Sequence, residues 1–102
     1  MKTKPPTEKE ITKEIRRFLD FKRIWHWKEY TGGMFGQTGI SDILGCWKGR
    51  FIAIEVKRPG HKTESKRLMK QKKFIEDVKR AGGIGFFAES VQNVIDNLKE
   101  YW

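Results

Sequence analysis

Residues 41–57 read SDILGCWKGRFIAIEVK, two apolar runs joined by the polar, glycine-containing pair Lys48-Gly49. This pattern predicts a β-hairpin with Lys48-Gly49 as its turn. Counting back from the turn places Asp42 opposite Glu55. Opposed residues share one face of a sheet, with Cβ atoms about 4.5–5.5 Å apart. Because side chains alternate along a strand, we expect Lys57 on the same face as Glu55.

The opposed carboxylates of Asp42 and Glu55 predict a divalent cation between them, since like charges that face each other destabilise a sheet. The apolar run before Glu55 favours a central strand, where an unpartnered carboxylate is costly. Mg²⁺ takes oxygen ligands, and the carbonyl oxygen of Val56 is a further candidate. A bound cation neutralises a phosphate and lowers the pKa of a bound water. Lys57 could orient or deprotonate that water, or counter charge in the transition state, and the sequence leaves these roles open.

The rest of the chain predicts three helices and two further strands. A capping box, Thr7 to Glu10, begins a helix that ends at about residues 21–23. The other predicted elements are a strand at 24–30, a glycine-rich loop at 31–39, a helix at about 65–81, a strand at 84–88 and a helix capped by Ser90. The predicted class is α/β, a mixed β-sheet flanked by helices in the order α-β-β-β-α-β-α. One domain at 7–102 follows a flexible basic tail at 1–6.

The net charge of +9, from 22 Lys and Arg against 13 Asp and Glu, predicts a polyanionic partner, most commonly nucleic acid. A solvated basic surface and an anionic membrane surface are the alternatives. A dense basic run follows the hairpin, and we expect it to contact DNA phosphates rather than only solvent. The residues predicted to bind DNA are Arg58, Lys62, Lys66, Arg67, Lys70 and Lys73, with His61 and Lys72 beside them. The loop at 31–39 could follow a branch in the DNA.

Cysteine use and hydrophobicity bear on location. Cys46 is the single cysteine, so the sequence predicts no intrachain disulfide and a cytoplasmic protein. The first residues lack the apolar run of a signal peptide. No stretch is long enough to cross a bilayer, and no strongly amphipathic basic helix with exposed aromatic residues favours a membrane surface, so we expect no membrane partner.

The ordered motifs resemble those of the VRR-NUC family of PD-(D/E)xK nucleases. Gly39 to Asp42 matches a G-x-x-D segment behind a glycine-rich loop, and Glu55 to Lys57 matches E-V-K. Pro59-Gly60, a helical Gln71 and the turn Ala81-Gly82-Gly83 follow in the order of the family pattern. Ser41 departs from the proline of a literal P-D motif. The resemblance implies a restriction-endonuclease-like sheet, covers residues 7–98 and is carried by the ordered set, because E-V-K alone is a weak motif.

The same resemblance implies cleavage of DNA with Mg²⁺, or Mn²⁺, as cofactor. It implies catalytic roles for Asp42, Glu55, Lys57, Gln71 and an acidic residue of the first helix, which would join the metal ligands. Gln71 would hold a metal-bound water or a phosphate. Among the glutamates of the first helix, Glu10 already serves the capping box. Glu8 shares the inward face of the helix and is preferred over Glu14.

We therefore expect a metal-dependent DNA endonuclease that acts on branched DNA such as Holliday junctions, in a bacterial or phage-infected cell. The abundance of aromatic residues and the small size favour a homodimer. One alternative is a basic module that binds nucleic acid without cutting it. Another is the nuclease subunit of a larger phage or restriction complex. In the structural alternative, Asp42 caps a turn and Glu55 and Lys57 form a solvent-facing row.

Overall fold

The computed structural model describes residues 4–30 and 39–102. The first three residues of the predicted tail and residues 31–38 of the predicted loop lie outside the described residues. The elements are helix α1 (Glu8–Phe21), strands β1 (Trp25–Lys28), β2 (Ile43–Trp47) and β3 (Arg50–Val56), helix α2 (Ser65–Arg80), strand β4 (Ile84–Ala88), helix α3 (Val91–Leu98) and a 3₁₀ turn (Lys99–Tyr101). The predicted order α-β-β-β-α-β-α is confirmed, and strand β1 is shorter at both ends than its predicted range of 24–30.

The four strands form one mixed sheet in the order β1-β2-β3-β4. Strand β2 pairs antiparallel with β1 and β3, and β3 pairs parallel with β4 across helix α2. The hairpin has the predicted register, from Trp47 opposite Arg50 to Ile43 opposite Ile54. Its turn has positive φ at Lys48 and Gly49, 50° and 83°, as a type I′ turn requires. A two-residue turn of this type fixes the pairing register of the two strands that it joins.

Helix α1 begins at the predicted capping box. The Thr7 hydroxyl accepts from the Glu10 N–H at 3.1 Å, and the Glu10 carboxylate accepts from the Thr7 N–H at 3.0 Å. Ile11, Ile15 and Leu19 recur at helical spacing and are buried. The apolar stripe therefore fixes which side of α1 packs on the sheet.

Helices cover both faces of the sheet. Helices α1 and α3 pack on one face over a large apolar cluster that includes Ile15, Leu19, Ile54 and Leu98. Helix α2 packs on the other face over a much smaller cluster of Leu44, Ala53, Ile75 and Val78. Among the described residues, no helix has the length and apolar character needed to cross a membrane.

Candidate functional site

Asp42 lies one residue before β2, at the end of the hairpin. Its Oδ2 accepts a hydrogen bond of 2.8 Å from the N–H of Val56, which extends the pairing of the two strands beyond Ile43 and Ile54. Its carbonyl oxygen accepts from the N–H of Glu29 at 2.8 Å. The side chain is 27% exposed, and its Oδ1 lies 3.8 Å from Nζ of Lys28. Asp42 thus closes the end of β3, and the rest of its carboxylate remains accessible.

Glu55 is buried beside Asp42. Alternation along β3 turns Glu55 to the face covered by α2, as it does Ala53, and leaves it only 3% exposed. Burial, and then the hydrogen bond to Asp42 and the negative charge of Asp42, raise the pKa of Glu55 to about 9, whereas the charges of Lys57 and Arg67 lower it. Glu55 Oε1 is buried and has no hydrogen-bond partner among the described residues. A buried oxygen without a donor is costly, so the site offers an oxygen to a ligand that can reach it.

The two carboxylates open into a cavity of about 460 Å³, called here the carboxylate cavity. It lies between the end of the hairpin and the N-terminal half of α2. Its walls are formed by Gly39, Ile40, Asp42, Glu55, Glu64, Lys66, Arg67, Lys70 and Gln71. A Cβ on Gly39 would lie 2.7 Å from the backbone of Lys70, and its φ is +78°. Only glycine allows this close approach, which explains the first residue of the G-x-x-D segment.

Lys57 and Gln71 are joined by a hydrogen bond. The ammonium of Lys57 donates to Gln71 Oε1 at 2.6 Å and to Thr63 Oγ1 at 2.7 Å. Gln71 is 4% exposed and lines the carboxylate cavity, whereas Lys57 lines the adjacent cavity of about 510 Å³. Glu55 and Lys57 therefore share one side of the sheet, with Gln71 connecting the lysine to the cavity. Sequence reasoning missed Thr63, for which no motif gave a signal.

The glutamates of the first helix are separated by the structure. Glu8 is half-buried and lines a second cavity, of about 740 Å³, together with Asp42. Glu14 is exposed and lines neither this cavity nor the carboxylate cavity, and Glu10 is held in the capping box. Within residues 4–30 and 39–102, no three His, Cys, Asp or Glu side chains are close enough together to hold a metal ion. Only Asp42 and Glu55 among the predicted acidic ligands line the carboxylate cavity, and the role of Glu8 stays a prediction.

The residues predicted to bind DNA fall into three groups. Lys66, Arg67 and Lys70 surround the carboxylate cavity. Lys62, Lys72 and His61 surround the cavity that contains Lys57, and Arg58 approaches Nδ1 of His61 at 3.2 Å. Lys73 instead pairs with Asp77 at 2.8 Å. Lys66, Arg67 and Lys70 are thus best placed to bring a phosphate to the carboxylates. Sequence reasoning missed Lys28, which approaches Asp42 from β1.

Comparison of the sequence with models of protein families finds no match, and comparison with curated proteins finds none either. The resemblance to the VRR-NUC family therefore rests on the motifs and their order, and stays a prediction.

Proposed function

We propose that the chain is a metal-dependent DNA endonuclease whose site is the carboxylate cavity. One observation carries the proposal. Glu55 is almost completely buried beside Asp42, and its Oε1 has no partner among the described residues, in a cavity that Lys66, Arg67 and Lys70 also line. The raised pKa of Glu55 shows that the fold disfavours a second negative charge there. A carboxylate in a cleft whose pKa is strongly shifted by burial and by a charged neighbour is a candidate for a functional site.

The available donors fit Mg²⁺ or Mn²⁺. Asp42 and Glu55 supply carboxylate oxygens, the ligand type that these hard cations prefer. The backbone of Val56 faces Asp42, because its N–H donates to that carboxylate, and the N–H and C=O of a strand residue point to the same side. The Val56 carbonyl is thus a suitable third ligand. Mg²⁺ keeps several waters and uses only one or two carboxylates, so two acidic residues suffice.

When bound, such a cation neutralises a phosphate and makes a water a stronger nucleophile. The chain's own residues would supply the rest. Lys66, Arg67 and Lys70 would hold phosphates at the rim of the cavity. An ammonium has three N–H donors, and that of Lys57 donates two hydrogen bonds, to Thr63 and to Gln71. The third could bind a phosphate oxygen or orient the attacking water.

The finer parts of the proposal come from the sequence. The resemblance implies a restriction-endonuclease-like fold and action on branched DNA such as a four-way junction, in a bacterial or phage-infected cell. The small size and the abundance of aromatic residues favour a homodimer with two sites. The mixed sheet with helices on both faces is compatible with that fold. The net charge of +9 supports a nucleic acid as the substrate.

The proposal is tested by cleavage of a labelled four-way junction and a linear duplex, with Mg²⁺ or with EDTA. We expect cutting only with the metal, and a loss of at least about a hundredfold in Glu55→Gln and in Lys57→Ala. Glu100→Gln serves as the control, because the Glu100 side chain is exposed and does not line the carboxylate cavity. This variant should cut like the wild type. Binding of the junction in EDTA should be similar in all four proteins.

Calorimetric titration with Mn²⁺ gives a readout independent of activity. Asp42→Asn should abolish the binding isotherm, and Glu100→Gln should not. Cutting that survives both Glu55→Gln and Lys57→Ala, or Mn²⁺ binding that is indifferent to Asp42, would refute the proposed site.

A second candidate is a basic module that binds nucleic acid without cutting it. It is favoured by the lack of a three-residue acidic or histidine cluster within the described ranges, and by the orientation of Lys57 towards Thr63 and Gln71. In this case the protein would bind the junction in EDTA and in Mg²⁺ alike, cut neither substrate, and give no Mn²⁺ isotherm.

A further inference from the structure

A second basic groove lies on the opposite side of Asp42 from the carboxylate cavity. This groove, of about 740 Å³, runs between helix α1 and the end of strand β1, and is called here the α1–β1 groove. Asp42 lines both cavities. Five basic side chains, one aromatic ring and three carboxylates line this groove: Lys9, Lys13, Arg16, Arg17, Lys28, Tyr30, Glu8, Asp20 and Asp42.

The direction of α1 connects this groove to the carboxylates. Asp20, near the end of α1, lies 3.8 Å from His26 near the start of β1, and Lys28 at the end of β1 lies 3.8 Å from Asp42. Helix α1 therefore runs antiparallel to β1, and its N-terminal half, with Glu8, lies towards Asp42. A chain-like ligand in the groove would lead directly to the proposed site.

The positive charges of α1 in the groove outnumber its carboxylates and form no ion pairs with them among the described residues. Lys9, Lys13, Arg16 and Arg17 have no ion-pair partner within residues 4–30 and 39–102. They are spread over about two turns, and each turn of helix advances about 5.4 Å. Nε of Arg16 is also buried with no hydrogen-bond partner in that part of the chain. An anion in the groove would give this donor an acceptor, and a row of cations suits a row of phosphates.

An exposed aromatic ring distinguishes the groove from a purely electrostatic surface. Tyr30 lines it and is 80% exposed, although a tyrosine ring is mostly apolar. Nζ of Lys28 lies 5.3 Å from its centroid. A cationic groove combined with an exposed aromatic ring is the arrangement that binds single-stranded nucleic acid, whose unpaired bases can stack on the ring. The bases of an intact duplex are already stacked on one another and do not offer that face.

We propose that the α1–β1 groove binds single-stranded DNA, with phosphates on α1 and a base on Tyr30. Where the strand leads rests on the proposed function: it enters the carboxylate cavity past Asp42, so the preferred substrate has an unpaired arm next to the scissile bond. Strand binding itself does not require cleavage.

The test is fluorescence anisotropy of a labelled oligo-dT strand, and of a blunt duplex of equal length, in EDTA. Lys13→Ala/Arg17→Ala should weaken strand binding by about tenfold and lower the steepness of log K against log salt by about 1.4, since each lost contact to a single strand removes about 0.7. The control Lys79→Ala/Arg80→Ala makes the same change in net charge at the end of α2, outside both cavities, and should have at most a small effect.

Substitutions of Tyr30 change no charge, so they test base stacking separately from the attraction of the positive charges for phosphate. Tyr30→Ala should weaken strand binding about fivefold or more, Tyr30→Phe should keep it, and neither should change duplex binding. Circular dichroism checks that each variant is folded. The inference is overturned if the α1 pair behaves like the α2 pair, if Tyr30→Ala binds the strand like the wild type, or if it weakens the duplex equally.

The two proposals can fail separately. If these binding results hold but no substrate is cut, the strand groove stands and the nuclease function fails. If junctions are cut in a Glu55-dependent way while the groove variants bind the strand normally, the groove fails and the nuclease function stands.

Discussion

The two faces of the sheet are built differently. Among the described residues, the face under α1 and α3 has thirteen buried hydrophobic side chains in its cluster, and the face under α2 has four. The α2 face buries Glu55 and Gln71 instead. Apolar burial is the main source of stability, so the first face stabilises the fold. The second can then hold an unfavourable carboxylate, because stability is available from elsewhere in the molecule.

The largest expected effect comes from the apolar face. Leu19→Ala removes a side chain that is fully buried, and a buried Leu→Ala change costs about 2–5 kcal/mol through lost transfer energy and the cavity left behind. Leu44→Ala, at the buried leucine of the smaller cluster on the α2 face, is the matched change and should cost less, because fewer buried apolar side chains surround it. Urea denaturation measures both free energies of unfolding. Equal losses would contradict the division of labour between the faces.

The burial of Glu55 on the α2 face should make the free energy of unfolding depend on pH. The folded-state pKa of Glu55, about 9, lies above its ordinary value of 4.5, so the folded protein binds more protons than the unfolded chain between those values. Its contribution to stability is complete below a pH of about 4.5 and is lost as pH rises towards 9. We expect the free energy of unfolding in EDTA to fall by several kcal/mol across this window, since each unit of pKa difference corresponds to about 1.4 kcal/mol, and Glu55→Gln to remove that slope.

The control for this pH effect is Glu100→Gln, which should keep the slope. Asp77 and Glu10 have lowered pKa values because of hydrogen bonds to Lys73 and Thr7 respectively. Their contributions to the stability of the protein are therefore lost only in acid, below this pH window. Mn²⁺ should oppose the loss most strongly at high pH, because metal ligands must be deprotonated. A wild-type slope identical to that of Glu55→Gln would show that Glu55 titrates normally.

The order of the elements could be predicted because its signals are local. Capping at Thr7, helical spacing in α1 and the two-residue turn at Lys48-Gly49 each depend on a few neighbouring residues. The turn also sets a contact between residues thirteen positions apart, because the register that it imposes brings Asp42 next to Glu55. The end of β1 could not be predicted as well, because Trp25 to Lys28 form an edge strand with one partner, and pairing with β2 decides its length.

The sequence predicts which side chains of the site share a face of the sheet, because this follows from backbone register, but it does not predict their contacts. Alternation places Lys57 on the α2 face, but the contacts of its ammonium depend on Thr63 and Gln71, which lie six and fourteen residues away. Local rules do not specify such tertiary contacts. The pairing of Lys73 with Asp77 is different, since an i,i+4 spacing was visible in the sequence and predicts an ion pair. The prediction that Lys73 binds DNA leaves out this pairing, which already gives its charge a partner.

The smallest expected effect tests whether the polar contacts of the α2 face serve chemistry rather than stability. Thr63→Val removes one of the two oxygens that accept from Lys57, at a cost of about 0.5–1.5 kcal/mol for one hydrogen bond. If Thr63 positions Lys57, single-turnover cleavage of the junction should slow by about tenfold, with unchanged binding in EDTA. Thr63→Ser keeps the hydroxyl and should restore the rate. Since Ser and Val lose different parts of threonine, equal rates in the two variants would show that Thr63 only packs beside Lys57.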